Sequence, residues 1–223
     1  MGHNYRQLGP LAKEAQPRLR GAGNWRGYAM SKTLFLLLTL LAGCAGVRSL
    51  DNVPLEWSPE REPRASAGSA PADLFKTRIK VASLTDSRER PKLIGENREG
   101  GQPQPVTTSD DVGAFVTEHF KGLLVGAGLN VVDSGESALI RGDVQQFFVV
   151  ETSTYSGEVR LQIVVTDPAG KTLWQGVTGG TSTRFGRSKW ARNYYESLSD
   201  ALSLATSSLL QEHGFQTALA VKH

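Results

Sequence analysis

The clearest pattern in the chain is an alternation of apolar and polar residues over positions 158–166, in which only Val164 is an apolar residue at an outward position. This period of two predicts a strand with one buried face. The turn residues Asp167-Pro168-Ala169-Gly170 follow, because Pro presets φ and Gly accepts a positive φ. Residues 171–183 then alternate again, so the two segments are predicted to form a hairpin. Four residues are predicted to face the core from the first strand: Val159, Leu161, Ile163 and Val165.

Three more segments have strand-like patterns. Residues 75–84 alternate apolar and basic side chains, residues 129–132 form a short apolar run, and residues 138–151 form a longer one. In the longest segment the pattern places Ile140, Val144, Phe148 and Val150 on one face. Residues 85–108 show no such pattern and are rich in Pro, Gly and charge, which predicts a long connection that is functional or mobile.

Two amphipathic helices are predicted. In the first, Ser109 is the N-cap, and apolar residues recur at helical spacing: Val112, Phe115, Val116, Phe120, Leu123 and Leu124. In the second, Asn193 is the cap, Gly214 ends the helix, and the stripe is Leu198, Ala201, Leu202, Ala205 and Leu209. The element order predicts an α+β fold, with a mostly antiparallel sheet of about five strands and both helices packed on one face.

Residues 33–42 form an apolar run that follows Lys32. A helix that spans a membrane needs roughly 20 apolar residues, so this run has the length of a signal-peptide core. It ends in Leu41-Ala42-Gly43-Cys44, which resembles the lipobox of bacterial lipoproteins. The resemblance implies cleavage before Cys44, a diacylglycerol on its thiol, and acylation of the new amino group. The alternative is an ordinary secretory signal in which Cys44 has no role.

The sequence therefore predicts four parts. Residues 1–43 are a signal peptide, residues 44–71 are a lipidated cysteine with a flexible tether, residues 72–215 are one domain, and residues 216–223 are a C-terminal tail. Translation starts at Met1 or at Met30, in which case residues 1–29 lie upstream of the protein. By the usual bacterial sorting pattern, Ala45 after the lipidated cysteine favours the outer membrane, with the domain facing the periplasm.

Removal of the signal peptide changes the charge of the protein. The whole chain has a formal net charge of +3, whereas residues 44–223 hold 19 basic and 21 acidic residues, a net charge of −2. A phosphate-binding face needs a surplus of basic groups, so a nucleic-acid partner is not expected. The basic and aromatic segment 184–192, which includes Trp190, is interpreted as a solvated loop rather than a surface for base stacking.

No catalytic motif is recognisable in the predicted domain. His119 has no metal-ligating partner at a suitable spacing, and the single cysteine is Cys44. We therefore expect no catalytic residues, no metal site and no cofactor, and we expect that the protein is not an enzyme.

The order of several weak motifs resembles the YajG-type family of bacterial lipoproteins. A lipobox precedes Asp86-Ser87-Arg88 and Ile94-Gly95, and these are followed by Gly126-Ala127-Gly128-Leu129, a strand hairpin and a C-terminal amphipathic helix. The resemblance implies an α+β lipoprotein domain and transfers no catalytic residues.

We expect a lipid-anchored, non-enzymatic lipoprotein that binds a component or an assembly or transport partner of the cell envelope. Two alternatives stay open at this point: binding of a cell-wall fragment or lipid, and a hydrolase with an unfamiliar site. The candidate partner surface comprises Asp86, Arg88, Leu93, Ile94 and Glu96.

Overall fold

A computed structural model describes residues 50–60 and 72–220. Within these ranges one sheet contains seven strands: β1 (Ile79–Val81), β2 (Thr85–Asp86), β3 (Leu93–Asn97), β4 (Gln104–Thr107), β5 (Ala138–Glu151), β6 (Tyr155–Thr166) and β7 (Thr172–Arg184). The main strand order is β4-β3-β5-β6-β7. Strands β1, β2 and β3 pair in succession with one edge of β5, all in parallel, and the remaining pairs are antiparallel.

Three α-helices accompany the sheet: α1 (Val112–Gly126), α2 (Ala191–Gln211) and α3 (His213–Ala220). Helix α2 packs on β6 and β7, and α1 contacts both α2 and β5. Their apolar faces and the sheet share one hydrophobic core, in which Phe120, Ile163 and Leu202 are fully buried. The predicted fold class, α+β with a mostly antiparallel sheet, is therefore confirmed.

Several predicted element boundaries were wrong. Residues 85–108 contain β2, β3 and β4 instead of a structureless connection. The predicted first strand begins only at Ile79, after a 3-10 helix over Ala72–Lys76. The predicted strand 129–132 contributes only an isolated bridge between Val131 and Ile79.

The helix ends also differ from the prediction. Asp111, not Ser109, caps α1, since its carboxylate accepts from the backbone N–H of Ala114 at 2.9 Å. Asn193 lies inside the first turn of α2, and Trp190 occupies the N-cap position without a side-chain hydrogen bond. The predicted tail 216–223 lies partly in α3, whose Leu219 is fully buried.

A β-bulge reverses the predicted face of half of β5. The register between β5 and β6 shifts between Val144 and Gln146. A one-residue shift moves every later side chain to the opposite face. Phe147 and Val149 are therefore fully buried, while the predicted core residue Phe148 is only half-buried.

Residues 50–60, which we call the strap, pack on the domain instead of forming part of a flexible tether. Leu50 pairs in parallel with Val106 of β4, and Val53 is buried. Trp57 stacks on His119 of α1, with ring centroids 4.5 Å apart. At the end of the strap, the backbone N–H of Glu60 donates to Asp200 of α2 at 2.6 Å. The strap therefore covers the β4 edge and then crosses both long helices.

Candidate functional site

Asp86 and Arg88, two residues of the predicted partner surface, form an ion pair at the edge of the sheet, which we call the Arg88–Asp86 clasp. The Arg88 guanidinium makes a bidentate pair with the Asp86 carboxylate, with Nε–Oδ1 at 2.8 Å and Nη2–Oδ2 at 2.7 Å. The Arg88 side chain is only 7% exposed. Bidentate pairs of this kind fix both side chains in one geometry.

Arg88 fills a gap between two strands. β2 pairs with β5 at residues 143–144 and β3 pairs at residues 149–151, so the β5 edge has no strand neighbour between them. Arg88 Nη1 donates to the carbonyl of Phe147 at 3.0 Å and to that of Leu93 at 2.8 Å. Its Nη2 donates to Pro91 O at 2.5 Å. The guanidinium thus satisfies the Phe147 carbonyl, which a neighbouring strand would otherwise have bonded, and ties it to the Pro91 and Leu93 carbonyls.

A surface groove of about 480 Å³ opens over this clasp. Its lining includes Arg88, Arg90, Leu93, Glu96, Arg98 and Phe148. Glu96 and Arg98 form an ion pair, and Arg88 is neutralised by Asp86. The groove is therefore polar, rich in hydrogen-bonding groups and close to neutral. We call it the Arg88 groove.

The structure brings three of the five predicted partner residues to this groove. Arg88, Leu93 and Glu96 line it, and Asp86 lies beneath it as the partner of Arg88. Ile94 is fully buried in the core, whereas Leu93 and Glu96 are only partly buried. The register of β3 shifts between Leu93 and Gly95, so the simple alternation of faces does not hold at Ile94. Ile94 therefore cannot belong to a contact surface.

A second polar cluster lies at the far end of β5 and was not found from the sequence. Glu151 is fully buried. Its carboxylate accepts from Tyr155 Oη at 2.8 Å, from Tyr194 Oη at 2.5 Å and from the backbone N–H of Lys189 at 2.7 Å. A glutamate at the end of a strand gave no signal of burial, since two of its three partners, Lys189 and Tyr194, lie about 40 residues further along the chain.

Burial and hydrogen bonding act in opposite directions on Glu151. Burial by itself raises the pKa of the carboxyl, but the hydrogen bonds from Tyr194, Lys189 and Tyr155 bring the pKa below its ordinary value. Burial also raises the pKa of the Tyr155 phenol to about 12 and raises that of Tyr194. At neutral pH the cluster is therefore one carboxylate held by two neutral phenols.

This cluster fixes residues 185–190, which we call the aromatic loop. Besides the bond from Lys189 to Glu151, the carbonyl of Arg187 accepts from Asn193 Nδ2 at 2.9 Å. It also lies 2.7 Å from Tyr155 Oη, whose single proton is shared between this carbonyl and the Glu151 carboxylate. Phe185 and Trp190 point away from the domain and are 85% and 50% exposed. Arg187 lies over the Trp190 ring, 5.7 Å from its centroid.

The lipobox residues Leu41, Ala42, Gly43 and Cys44 lie outside the described residues. Within residues 50–60 and 72–220, no group of three or more His, Cys, Asp or Glu side chains is placed to hold a metal ion. In the same ranges no helix has the length and apolar character needed to cross a membrane. His119, which was considered as a ligand, packs between Trp57 and Phe115.

The chain matches no family model, and no curated protein matches its sequence. It is similar to a solved protein from Xanthomonas campestris of the family DUF330, at 12% identity and a TM-score of 0.46, over 63% of this chain and 85% of that one. It is similar to a provisionally named lipoprotein from Caulobacter crescentus, at 12% identity and a TM-score of 0.44, over 72% of this chain and 96% of that one.

A third similar structure is a minor lipoprotein from Acinetobacter baumannii, at 9% identity and a TM-score of 0.33, over 64% of this chain and 92% of that one. With TM-scores below 0.5, these similarities carry no argument about family or function. The YajG-type resemblance stays a prediction.

Proposed function

We propose that this chain is a non-enzymatic lipoprotein of the bacterial cell envelope, anchored through Cys44 at the periplasmic face of the outer membrane. The observation that carries this proposal is the lipobox-like sequence Leu41-Ala42-Gly43-Cys44, which stands a few residues before the strap in the chain. Only residues 45–49 separate Cys44 from Leu50, which is already paired with Val106. An acylated Cys44 would thus be followed almost directly by folded protein.

This spacing changes the expected height of the domain above the membrane. A flexible tether over residues 44–71 would reach on the order of 30 Å. Since residues 50–60 pack on the domain, the free length shrinks to six peptide steps, which span at most about 20 Å when fully extended. We therefore propose a domain held close to the lipid surface.

The Arg88 groove is the proposed surface for an envelope partner. Charged, amide and aromatic groups line this groove, which suits it to bind a polar partner. The ion pair between Arg88 and Asp86 fixes the position of the Arg88 side chain at the floor of the groove before a partner binds. Preorganised polar surfaces bind with less loss of side-chain entropy.

The anchor is tested by replacing Cys44 with Ala and separating membranes from soluble periplasm. We expect the wild-type protein in the outer-membrane fraction and the Cys44→Ala protein outside it. Cys44→Ser is a second, more conservative variant with the same expected result, because it replaces the thiol by a hydroxyl of similar size that cannot form the thioether. If both variants still sediment with the outer membrane, the anchoring proposal is wrong.

The partner surface is tested by charge reversal rather than by deletion, because β3 is part of the sheet. Arg90→Glu and Arg98→Glu change exposed residues at the rim of the groove. We expect either variant to reduce cross-linking to envelope neighbours in intact cells while the melting temperature stays unchanged. Arg141→Glu, an exposed change elsewhere on β5, is the control. If all three variants cross-link as strongly as the wild-type protein, the Arg88 groove is not the contact surface.

A further inference from the structure

The aromatic loop presents two large apolar side chains to solvent at one end of the sheet. Phe185 is 85% exposed and Trp190 is 50% exposed. Exposed Trp and Phe side chains on folded proteins are typical of sites that meet another apolar phase or partner. Neither ring fills the core, so the interpretation of residues 184–192 as a solvated loop does not explain why both rings are exposed.

Basic residues surround these two rings. Arg187 and Lys189 lie within the loop, and the loop itself contains no acidic residue. The flanking Arg184 and Arg192 are ion-paired with Glu196 at 2.7 and 2.5 Å. Glu99, from the neighbouring β3–β4 hairpin, is the acid that faces the loop, where it contacts Ser188. The loop therefore adds positive charge to a mature chain whose net charge is −2.

The loop is held in place from beneath rather than left to move. Glu151, Tyr155 and Asn193 bind its backbone at Lys189 and Arg187. Lys189 adopts a positive φ of 54°, which costs free energy for a residue with a side chain. The hydrogen bonds to Arg187 and Lys189 therefore hold the backbone of the loop between Phe185 and Trp190 before any contact is made.

The strap approaches from the same end of the sheet. Asn97 pairs with both Gln104 and Glu151, so the β3–β4 hairpin lies beside the loop. Leu50 pairs with Val106 in parallel. The chain direction at Leu50 therefore runs from the Gln104 end of β4 toward Thr107, and its N-terminal side faces the end of the sheet that holds the aromatic loop.

We infer that the aromatic loop is a membrane-docking surface: Phe185 and Trp190 enter the interface of the bilayer that holds the Cys44 lipid, and Arg187 and Lys189 contact lipid phosphates. This inference rests on the proposed function, because the anchor brings the loop to the bilayer. Trp and other aromatic rings concentrate at the lipid headgroup level, and Lys and Arg are attracted to anionic lipid surfaces. The short chain between Cys44 and Leu50 keeps this end of the sheet within reach of lipid.

A lipid surface fits the loop better than the nucleic acid considered from the sequence. Nucleic-acid binding needs an extended basic track along the phosphates. Here two of the four nearby basic residues, Arg184 and Arg192, are ion-paired with Glu196, and Arg184 also pairs with Asp200. The two remaining basic residues, Arg187 and Lys189, flank exposed apolar rings. That arrangement matches an interfacial anchor with an apolar tip and a basic rim.

The test uses the mature protein purified from cell envelopes and reconstituted into vesicles of phosphatidylethanolamine and phosphatidylglycerol. Lipids brominated on their acyl chains quench tryptophan fluorescence only at short range. We expect quenching in the wild-type protein and its loss in Trp190→Phe. Trp174→Phe is the matched control, because Trp174 packs on Phe215 with ring centroids 5.4 Å apart, and this variant is expected to keep the quenching.

A second variant tests the basic rim. Arg187→Gln with Lys189→Gln is expected to weaken docking about fivefold for each charge removed, and to do so less in vesicles without phosphatidylglycerol. All the changed side chains lie on the surface, so an unchanged melting temperature shows that the fold is intact.

The outcomes separate the two proposals. If the mass of the mature protein lacks acyl chains, the proposed function and the docking both fail. If the protein is acylated but wild type and Trp190→Phe are quenched equally, only the docking inference is overturned. Quenching that depends on Trp190 and weakens with the charge variant supports the inference.

Discussion

Arg88 and Phe147 join two parts of the sheet that have no strand pairing between them. The guanidinium Nη1 of Arg88 donates to the Phe147 carbonyl at 3.0 Å, in the gap between β2 and β3 along β5. The same guanidinium lies 5.7 Å from the Phe147 ring centroid. The Arg88 side chain therefore connects the edge of β5 to the loop that follows β2, and it also forms the floor of the Arg88 groove.

We expect Arg88→Lys to destabilise the domain although it keeps the charge. The lysine ammonium cannot make the two parallel hydrogen bonds to Asp86, and it cannot reach the carbonyls of Pro91, Leu93 and Phe147 together. The nearly buried Asp86 carboxylate therefore loses one of its hydrogen bonds. The expected loss is about 2–4 kcal/mol in the free energy of unfolding, measured by urea denaturation. Arg90→Lys, on the exposed rim of the groove, is the control and should change stability little. Equal stability of the two variants would contradict the structural role of Arg88.

Glu151 predicts the pH dependence of stability. Its pKa is lower in the folded chain than the ordinary value of 4.5, so the stabilisation is fully present above pH 4.5 and is lost as the pH falls through the folded-state pKa. Glu151→Gln should lower stability by about 1–3 kcal/mol at neutral pH. It should also remove part of the loss seen on acidification. Thermal melts across this range measure both effects, and a variant with the wild-type pH profile would argue against the cluster.

The strap predicts a local change that global stability alone would not reveal. Trp57→Ala removes the stacking on His119 and the contact with Phe115, which are worth about 1–2 kcal/mol together. We expect faster hydrogen exchange at the amides of Leu55, Ser58 and Glu60, which donate to Asp110, Ser199 and Asp200.

Pro54→Ala, at an exposed strap position, serves as the comparison for this experiment. It should leave exchange at the same three amides unchanged. If Trp57→Ala also leaves these three amides protected, the backbone hydrogen bonds alone hold the strap on the domain, and the stacking of Trp57 on His119 does not contribute.

The long, regular strands were predictable because their burial follows a simple period. The hairpin of β6 and β7 and the apolar stripe of α2 lie where the alternation placed them. The predicted face of Phe148 was wrong because a bulge leaves no signature in the apolar pattern. β3 was missed because Gly95 packs against the ring of Tyr194, a contact that requires the absence of a side chain and therefore weakens the strand signal.

The candidate site was harder to predict than the fold. Asp86 and Arg88 were identified as a pair, but their role depends on the gap in pairing along β5, which is a property of three strands together. The strap looked like a linker because it has two prolines and no apolar period, and such a pattern hides single anchors such as Val53 and Trp57. Glu151 was not singled out, since two of its donors, the Lys189 amide and the Tyr194 hydroxyl, are far away in sequence.

The acylation of Cys44 is the central claim, and intact-mass analysis of the mature protein from cell envelopes tests it most directly. We predict a polypeptide that begins at Cys44 and carries the added mass of the diacylglycerol and the N-terminal acyl chain. Digestion should place that mass on the peptide that contains Cys44. A mature chain with a free Cys44 thiol, or one cleaved at another residue, would show that the protein is not anchored through Cys44.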